Sequence, residues 1–547
     1  MPQLQHHRVL LNAGIRAHCL IPARLFATGF APICFFVCGL LSASPAFSDI
    51  RLPSLFTDNM VLQQRTQVAI WGWADPGEKI EIKGDWDRRP ATTTTHADGT
   101  WQTKLTTIAA GGPYTLTIKG KHTIQIHNVL LGEVWLCSGQ SNMTFPLGMQ
   151  GSWRTGVFDY EQEIAAANYP TIRMFTVAQT VADSPRQDVK GDWQICSPST
   201  AGKFSAVAYY FAREITTRTG LPVGLIHSSW GGTPAESWVK KEVLASDADL
   251  QPLLDQYTKA LAEYAADKGV TTPPTEATGA TKTDLSRTAA KKPVNPVTDP
   301  KSPDRLYNGM IHPLVPYTLK GVIWYQGESN SDRAAQYQKL FPALIHSWRD
   351  EWQRELPFYF VQIAPQYSKV PEIREAQLLT FRSVKRTGMV VITDVGDSLN
   401  IHPRNKEVPG KRLALWPLAN EYGQKAVVPS GPIYRSMEIQ GDKIRISFDY
   451  AADGLIAKDP AGNITSASRQ PPATDNSPAQ ELTEWMIAGE DRHFVPAHAL
   501  IDGNTLLVWS PEVKKPLAVR FAWKNFPRPN LFNRVGLPAS PFRTDKW

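Results

Sequence analysis

The sequence predicts an α/β protein, with a three-layer α/β/α core set between two β-rich modules of sandwich or jelly-roll type. Three observations carry this expectation. Five short apolar segments, 134–136, 223–228, 321–326, 358–363 and 389–393, recur with helical or irregular stretches between them. Continuous apolar strands that alternate with helices belong to parallel sheets covered on both faces. Segment 204–215 has apolar residues at helical spacing and supplies one covering helix. Before 129 and after 427 the texture changes to short alternating runs separated by turn residues, the pattern of antiparallel strands.

At 547 residues the chain is longer than one core usually organises. The expected organisation is a signal peptide over 1–48, a β-sandwich module over 49–128, an α/β domain over 129–426 and a β-rich module over 427–547. Within 1–48, Arg8, Arg16 and Arg24 precede an apolar run from Ala31 to Leu41. Ala46 and Ser48 then offer small residues at the −3 and −1 positions of a cleavage site. The run is short for a bilayer span of ~20 residues. An exported protein, periplasmic or secreted, is expected.

The formal net charge is +7, of which those three arginines supply three, leaving +4 for the rest. No Lys/Arg stripe marks a nucleic-acid or anionic-membrane partner. Cys19, Cys34 and Cys38 fall in the leader. Cys137 and Cys196 remain, with pairing left open, and no Cys/His spacing suggests zinc. Seventeen Trp and sixteen Tyr suit both sugar stacking and β-rich cores.

In the first β module, 67–73, 79–83 and 114–118 alternate, separated by Asp75-Pro76-Gly77 and Ala97-Asp98-Gly99 turns. Residues 264–304 are rich in Thr, Pro, Ala and Lys without an apolar period and read as an exposed, flexible insertion. Segments 443–448, 505–509 and 518–523 mark strands of the last module.

Ligands of open parallel sheets bind beyond the C-terminal strand ends, so the residues that follow each apolar segment are the candidates for chemistry. After the first come Gln140-Ser141-Asn142. After the second comes His227-Ser228-Ser229-Trp230-Gly231-Gly232-Thr233-Pro234. Gly327-Glu328-Ser329-Asn330 follows the third, and the last is followed by the stretch from Asp394 to His402-Pro403. A serine at a strand-to-helix turn, a glycine loop, an asparagine and a histidine supply a nucleophile, oxyanion donors and a base.

These four ordered motifs resemble those of the SGNH hydrolases. More narrowly, Trp-Leu-Cys-Ser-Gly-Gln-Ser-Asn-Met, Trp-Gly-Gly-Thr-Pro, Trp-Tyr-Gln-Gly-Glu-Ser-Asn and Ile-His-Pro resemble the sialate O-acetylesterase branch, as does the stretch from Gly536 to Asp545. The resemblance implies a flavodoxin-like core and a carbohydrate O-acetylesterase that needs no cofactor or metal. Its partner would be an acetylated saccharide, from sialic acid or from plant xylan or xyloglucan.

By that resemblance Ser141 is the nucleophile and His402 the base, with His227 and His312 left as structural. The oxyanion hole combines the Ser141 N–H, an N–H of Gly231 or Gly232, and the Asn330 side chain. Many SGNH enzymes carry Asp three residues before the His, but that position here is Leu399. Glu328 is therefore the first candidate acid and Asp397 the second. Asp394 lies nearby, and a Ser–His dyad without an acid is the third reading. Gln140, Trp230 and Trp238 are the expected substrate-binding residues, whereas Trp324 and Tyr325 are equally suited to the core. The rival expectations are a non-catalytic carbohydrate-binding protein on a hydrolase scaffold and a lipase- or thioesterase-type esterase.

Overall fold

One strand, Thr123–Gly139, joins the two β textures of the sequence. Its first six residues alternate between exposed and sheltered, whereas Val129 to Gly139 are buried throughout. The first part pairs antiparallel with Gly111–Lys119. The second is sandwiched between two parallel neighbours, Val223–Ser229 and Gly321–Tyr325. A half-exposed strand needs alternation, and a strand covered on both faces does not. The computed structural model describes residues 49–152, 154–269, 294–458 and 481–547. The expected signal peptide and part of the expected insertion, 270–293, lie outside the described residues.

The boundary expected at 128/129 falls inside this strand. Tyr114 pairs with Val129 and Leu116 with Ile126, so the long strand carries an extra residue there. Asn128 takes φ 56°, the left-handed conformation that Asn tolerates better than most residues. Arg173, itself buried, donates to the Asn128 backbone and side-chain oxygens and pins this bulge.

The central sheet runs Thr387–Val390, Phe358–Val361, Gly321–Tyr325, Thr123–Gly139, Val223–Ser229, Tyr169–Thr176 and Trp193–Cys196. All five apolar segments of the sequence contribute to it. All neighbours are parallel except Trp193–Cys196, which pairs antiparallel. The last two strands in this order were not anticipated: Pro170 and Arg173 interrupt the apolar run of one, and the other has four residues. After the long strand the chain fills one side, adding the adjacent strand Val223–Ser229 last, and then builds outward on the other. The topological switch point therefore lies at its C-terminal end, where Ser141 begins the next element.

Residue parity decides which layer each side chain joins. Trp135, Cys137, Ile323 and Tyr325 pack with helices Ala206–Thr219 and Glu407–Asn420. Val134, Leu136, Val322 and Trp324 face helices Ala334–Trp352 and Pro371–Ser383. The Trp324 ring lies 6.3 Å from Phe341 and 5.7 Å from Trp348. Ser205 caps the first of these helices by accepting from the Ala208 N–H, and Gly220 ends it at φ 72°. Cys137 and Cys196 are both free and buried.

In the N-terminal region Gln67–Trp73 pairs with Thr100–Thr106, and Lys79–Gly84 bridges Ala91–Thr94 and Gly111–Lys119. Gly77 and Gly99, at φ 79° and 80°, close the two Asp-containing turns. The C-terminal region forms two four-stranded antiparallel sheets. Phe542, paired with Phe521 in one of them, packs across to Tyr434 of the other at 4.6 Å. The helix Gln251–Gly269 runs into the expected insertion. On the far side of it Ser302 and Asp304 are buried, with the Asp304 N–H donating to the Glu236 carbonyl.

Candidate active site

Ser141 opens the short helix Ser141–Thr144 directly after the long strand. The turn is possible because residue 139 is glycine. It sits at φ 138°, and a Cβ there would lie 2.2 Å from the Tyr325 carbonyl oxygen. The neighbouring strand therefore approaches closer than any side chain permits. The Ser141 hydroxyl meets His402 Nε2 at 2.8 Å. The two residues are 261 positions apart in the chain.

The loop that delivers His402 is held by short polar side chains. Asp397 Oδ1 accepts from the Leu399 and Asn400 N–H groups at 2.9 and 3.0 Å. Asn400 Oδ1 accepts from the His402 N–H, and the Arg404 guanidinium donates to the Gly156 and Val157 carbonyls. Asp394 is held by Arg412 in a two-pronged ion pair at 2.7 and 2.6 Å. Leu399, where the wider pattern has Asp, is 84% exposed. Asp397, itself exposed, thus shapes the turn and makes its hydrogen bonds to backbone rather than to the imidazole.

Glu328 is buried, and it too reaches the histidine loop indirectly. Its Oε1 accepts from Asn142 Nδ2 at 2.6 Å, and the same Nδ2 donates to the carbonyl of Ile401, next to His402. Its Oε2 is buried without a hydrogen bond. Asn142 Oδ1 accepts from the Nζ of Lys406. That ammonium lies 4.9 Å from the Phe145 ring centre and 5.4 Å from that of Tyr325. Burial raises the Glu328 carboxyl above its usual range. Burial also pulls Lys406 down to about 7, against the opposing pull of the Glu328 charge. For His402, burial and then the Lys406 charge push the imidazole down to about 4, so it is uncharged at neutral pH.

Gly231 passes against the serine: a methyl group built on it would lie 3.4 Å from Ser141 Cβ. Gly232, at φ 76°, has open space where a side chain would stand. It borders a cleft of about 620 Å³ whose walls include Glu236, Glu328, Ser329, Arg333 and Lys369. Asn330 is almost fully buried. Its Oδ1 accepts from the Ala235 N–H and from Gln326 Nε2, and its Nδ2 donates to Glu236 at 2.9 Å. Glu236 is held in turn by Arg333 at 2.6 Å. The Asn330 amide is thereby locked in one orientation, with one of its two N–H hydrogens directed at Glu236.

Two of the expected substrate-binding residues need correction. Gln140 is 2% exposed, and its side-chain carbonyl accepts from the Ser329 N–H at 3.2 Å, so it braces the Glu328 loop. Trp238 is fully buried. The turn Ala235–Trp238 folds its ring inward, edge-on to Trp324, with its N–H donating to Thr233. A large apolar ring gains more from the core than from the cleft. Trp230 is half-buried beside Gly231. His227 and His312 have structural partners: His227 Nε2 meets the Ser229 hydroxyl at 2.6 Å, and His312 Nδ1 faces the Arg186 carbonyl.

The sequence reading missed Asn142, Lys406 and Glu236. Asn142 carried a signal in its place beside Ser141. A single lysine in a polar loop, and a glutamate four residues past a glycine pair, read as solvated surface. Among the described residues no group of three or more His, Cys, Asp or Glu is placed to hold a metal ion.

Residues 131–269 and 295–414 match the family described as carbohydrate esterase, sialic acid-specific acetylesterase. The sialate O-acetylesterase of Rattus norvegicus is 31% identical over 448 residues, which cover 73% of this chain and 79% of the rat protein. The Homo sapiens sialate O-acetylesterase is 31% identical over 444 residues, covering 73% and 76%. A crystal structure of a carbohydrate acetylesterase from Xanthomonas citri superposes with a TM-score of 0.73 at 34% identity, covering 91% of this chain and all of that one. The chain is an esterase and belongs to the sialate O-acetylesterase family of carbohydrate esterases.

Proposed function

We propose that this protein is an exported serine esterase that removes acetyl groups from sugar hydroxyls through an acetyl-enzyme. The observation that carries the reading is the 2.8 Å contact between Ser141 Oγ and His402 Nε2. In the first half-reaction Oγ attacks the acetyl carbonyl as His402 takes the hydroxyl proton. The tetrahedral oxyanion forms against the Ser141 N–H, an N–H of Gly231 or Gly232, and the Asn330 amide. Collapse returns the proton from His402 to the departing sugar oxygen. Water then attacks the acetyl-enzyme with His402 again as base, releasing acetate and restoring Ser141.

Glu328 is the acid of this reading, acting on the His402 loop through Asn142. The polar walls of the cleft suit a hydroxylated substrate better than the apolar acyl chain of a lipase. The substrates are acetylated sialic acid or acetylated xylan and xyloglucan. The leader sequence is the ground for export, and no helix among the described residues is long and apolar enough to cross a membrane. The test is acetate release by the parent and Ser141→Ala proteins from acetylated sialic acids, xylan and xyloglucan oligosaccharides. Release that persists in Ser141→Ala would overturn the mechanism.

A further inference from the structure

A second cleft, of about 690 Å³, is lined by residues flanking the segment that walls the cleft beside Gly232. Ser368, Lys369 and Val370 line the cleft that Gly232 and Glu328 border, whereas Tyr367 and Pro371 line its neighbour. Tyr367 is 59% exposed, an unusual position for so large a ring. Phe526 backs it at 5.3 Å, and Trp523 stands in the same wall, half-buried. The Arg543 guanidinium covers one face of Trp523 at 5.0 Å.

This wall is built rather than loose. The Gln366 N–H donates to the Asn525 carbonyl, and the Asn525 side chain donates back to the Tyr367 carbonyl at 2.7 Å. The Tyr367 N–H donates to the Ser398 carbonyl, in the loop that carries His402. The ring position is therefore tied both to the C-terminal β region and to the catalytic loop. Charges around the cleft balance, Glu372 and Glu484 against Lys524 and Arg528. A ring offered to solvent, with polar groups at its rim and no net charge, has the chemistry to bind an uncharged sugar face.

We propose that Tyr367, backed by Phe526 and flanked by Trp523, is a stacking subsite for the uncharged main chain of a polysaccharide whose acetyl group lies at Ser141. The inference rests on the acetylesterase reading and narrows it toward polymeric substrates. A chain seated on Tyr367 needs to cross only the segment 368–370 to enter the cleft bordered by Gly232, whose neighbour Gly231 packs against Ser141. The subsite also gives the C-terminal β region a part in recognition.

The test uses the full mature chain as Ser141→Ala, so that binding is read without turnover. In native gels cast with xylan or xyloglucan, this protein is expected to be retarded, and adding Tyr367→Ala is expected to abolish the retardation. In the Ser141 enzyme, Tyr367→Ala is expected to raise KM for acetylated xylan or xyloglucan about tenfold. Turnover of p-nitrophenyl acetate, which has no polysaccharide main chain to stack, is expected to stay within about twofold. Three results would overturn the subsite: no retardation by either polysaccharide, retardation that survives Tyr367→Ala, or an equal loss on the small ester. A parent enzyme inactive on every acetyl ester would strike the esterase reading instead, and the gel result would still decide the subsite.

Discussion

Lys406 Nζ donates to Asn142 Oδ1, and through Asn142 a buried ammonium is coupled to a buried carboxylate and to the backbone beside His402. Both side chains are almost completely shielded from water. A charge in that setting persists only with partners. Lys406→Met removes the donor to Asn142 and the cation that helps keep His402 acidic. The expected result is a fall in kcat of about tenfold or more, from the unsatisfied buried amide. The acid limb of the kcat/KM profile is expected to move to higher pH. Lys406→Arg, which keeps the charge, is expected to leave that limb nearer its original position.

The pH profile of the parent enzyme follows from the sign of the His402 shift. A histidine acting as base works only when neutral, so activity is expected above the His402 pKa and is expected to be lost as pH falls through it. With the imidazole pushed down to about 4, kcat/KM is expected to reach half its plateau near pH 4 rather than near an unperturbed His value of about 6.5. Initial rates with p-nitrophenyl acetate between pH 3 and 8 check this. A half-point near 6.5 would refute it.

Ser141→Ala and His402→Ala are each expected to reduce acetate release by roughly a thousandfold or more. Neither substitution leaves a large core void, so the melting temperature is expected to stay close to that of the parent. Asn330→Ala removes one candidate oxyanion donor and is expected to reduce kcat about a hundredfold.

Glu328→Gln and Asp397→Asn separate the two candidate acids. Asp397 Oδ1 serves as an acceptor for two backbone N–H groups, a role that Asn retains, so little change is expected. Glu328→Gln discharges the buried carboxylate next to Asn142 and is expected to lower kcat by about a hundredfold. Steady-state kinetics of the pair decide the matter, and the reverse ranking would assign the acid to Asp397.

Gly139→Ala tests the turn rather than the chemistry. Its Cβ would strike the Tyr325 carbonyl at 2.2 Å, in a backbone conformation unfavourable for any L side chain. A loss of at least ~2 kcal/mol is expected, read as a lowered urea midpoint together with lost activity. Stability within a few tenths of the parent would show that the strand ends can separate.

Much of the architecture was open to reading because it depends on local patterns. The apolar runs at 134–136 and 321–326 had to be strands buried on both faces, and the four motifs at strand ends put Ser141 and His402 at the same end of the sheet. Tyr169–Thr176 escaped because its buried Arg173 answers a bulge at Asn128, 45 residues away, and nothing in its own window says so. Trp238 misled for a related reason: its motif lies at the site, yet its ring turns toward Trp324 in the core.

The sequence by itself determined five strands of the sheet and the strand-end positions of Ser141 and His402, because each is written in a short stretch whose burial and turn chemistry act locally. Only the tertiary structure decided how the second layer of charge is wired. Glu328 and Lys406 lie 186 and 264 residues from Asn142, and each alone reads as a solvated charge. Packing removes their water, and the lost solvation forces them onto the one amide they share.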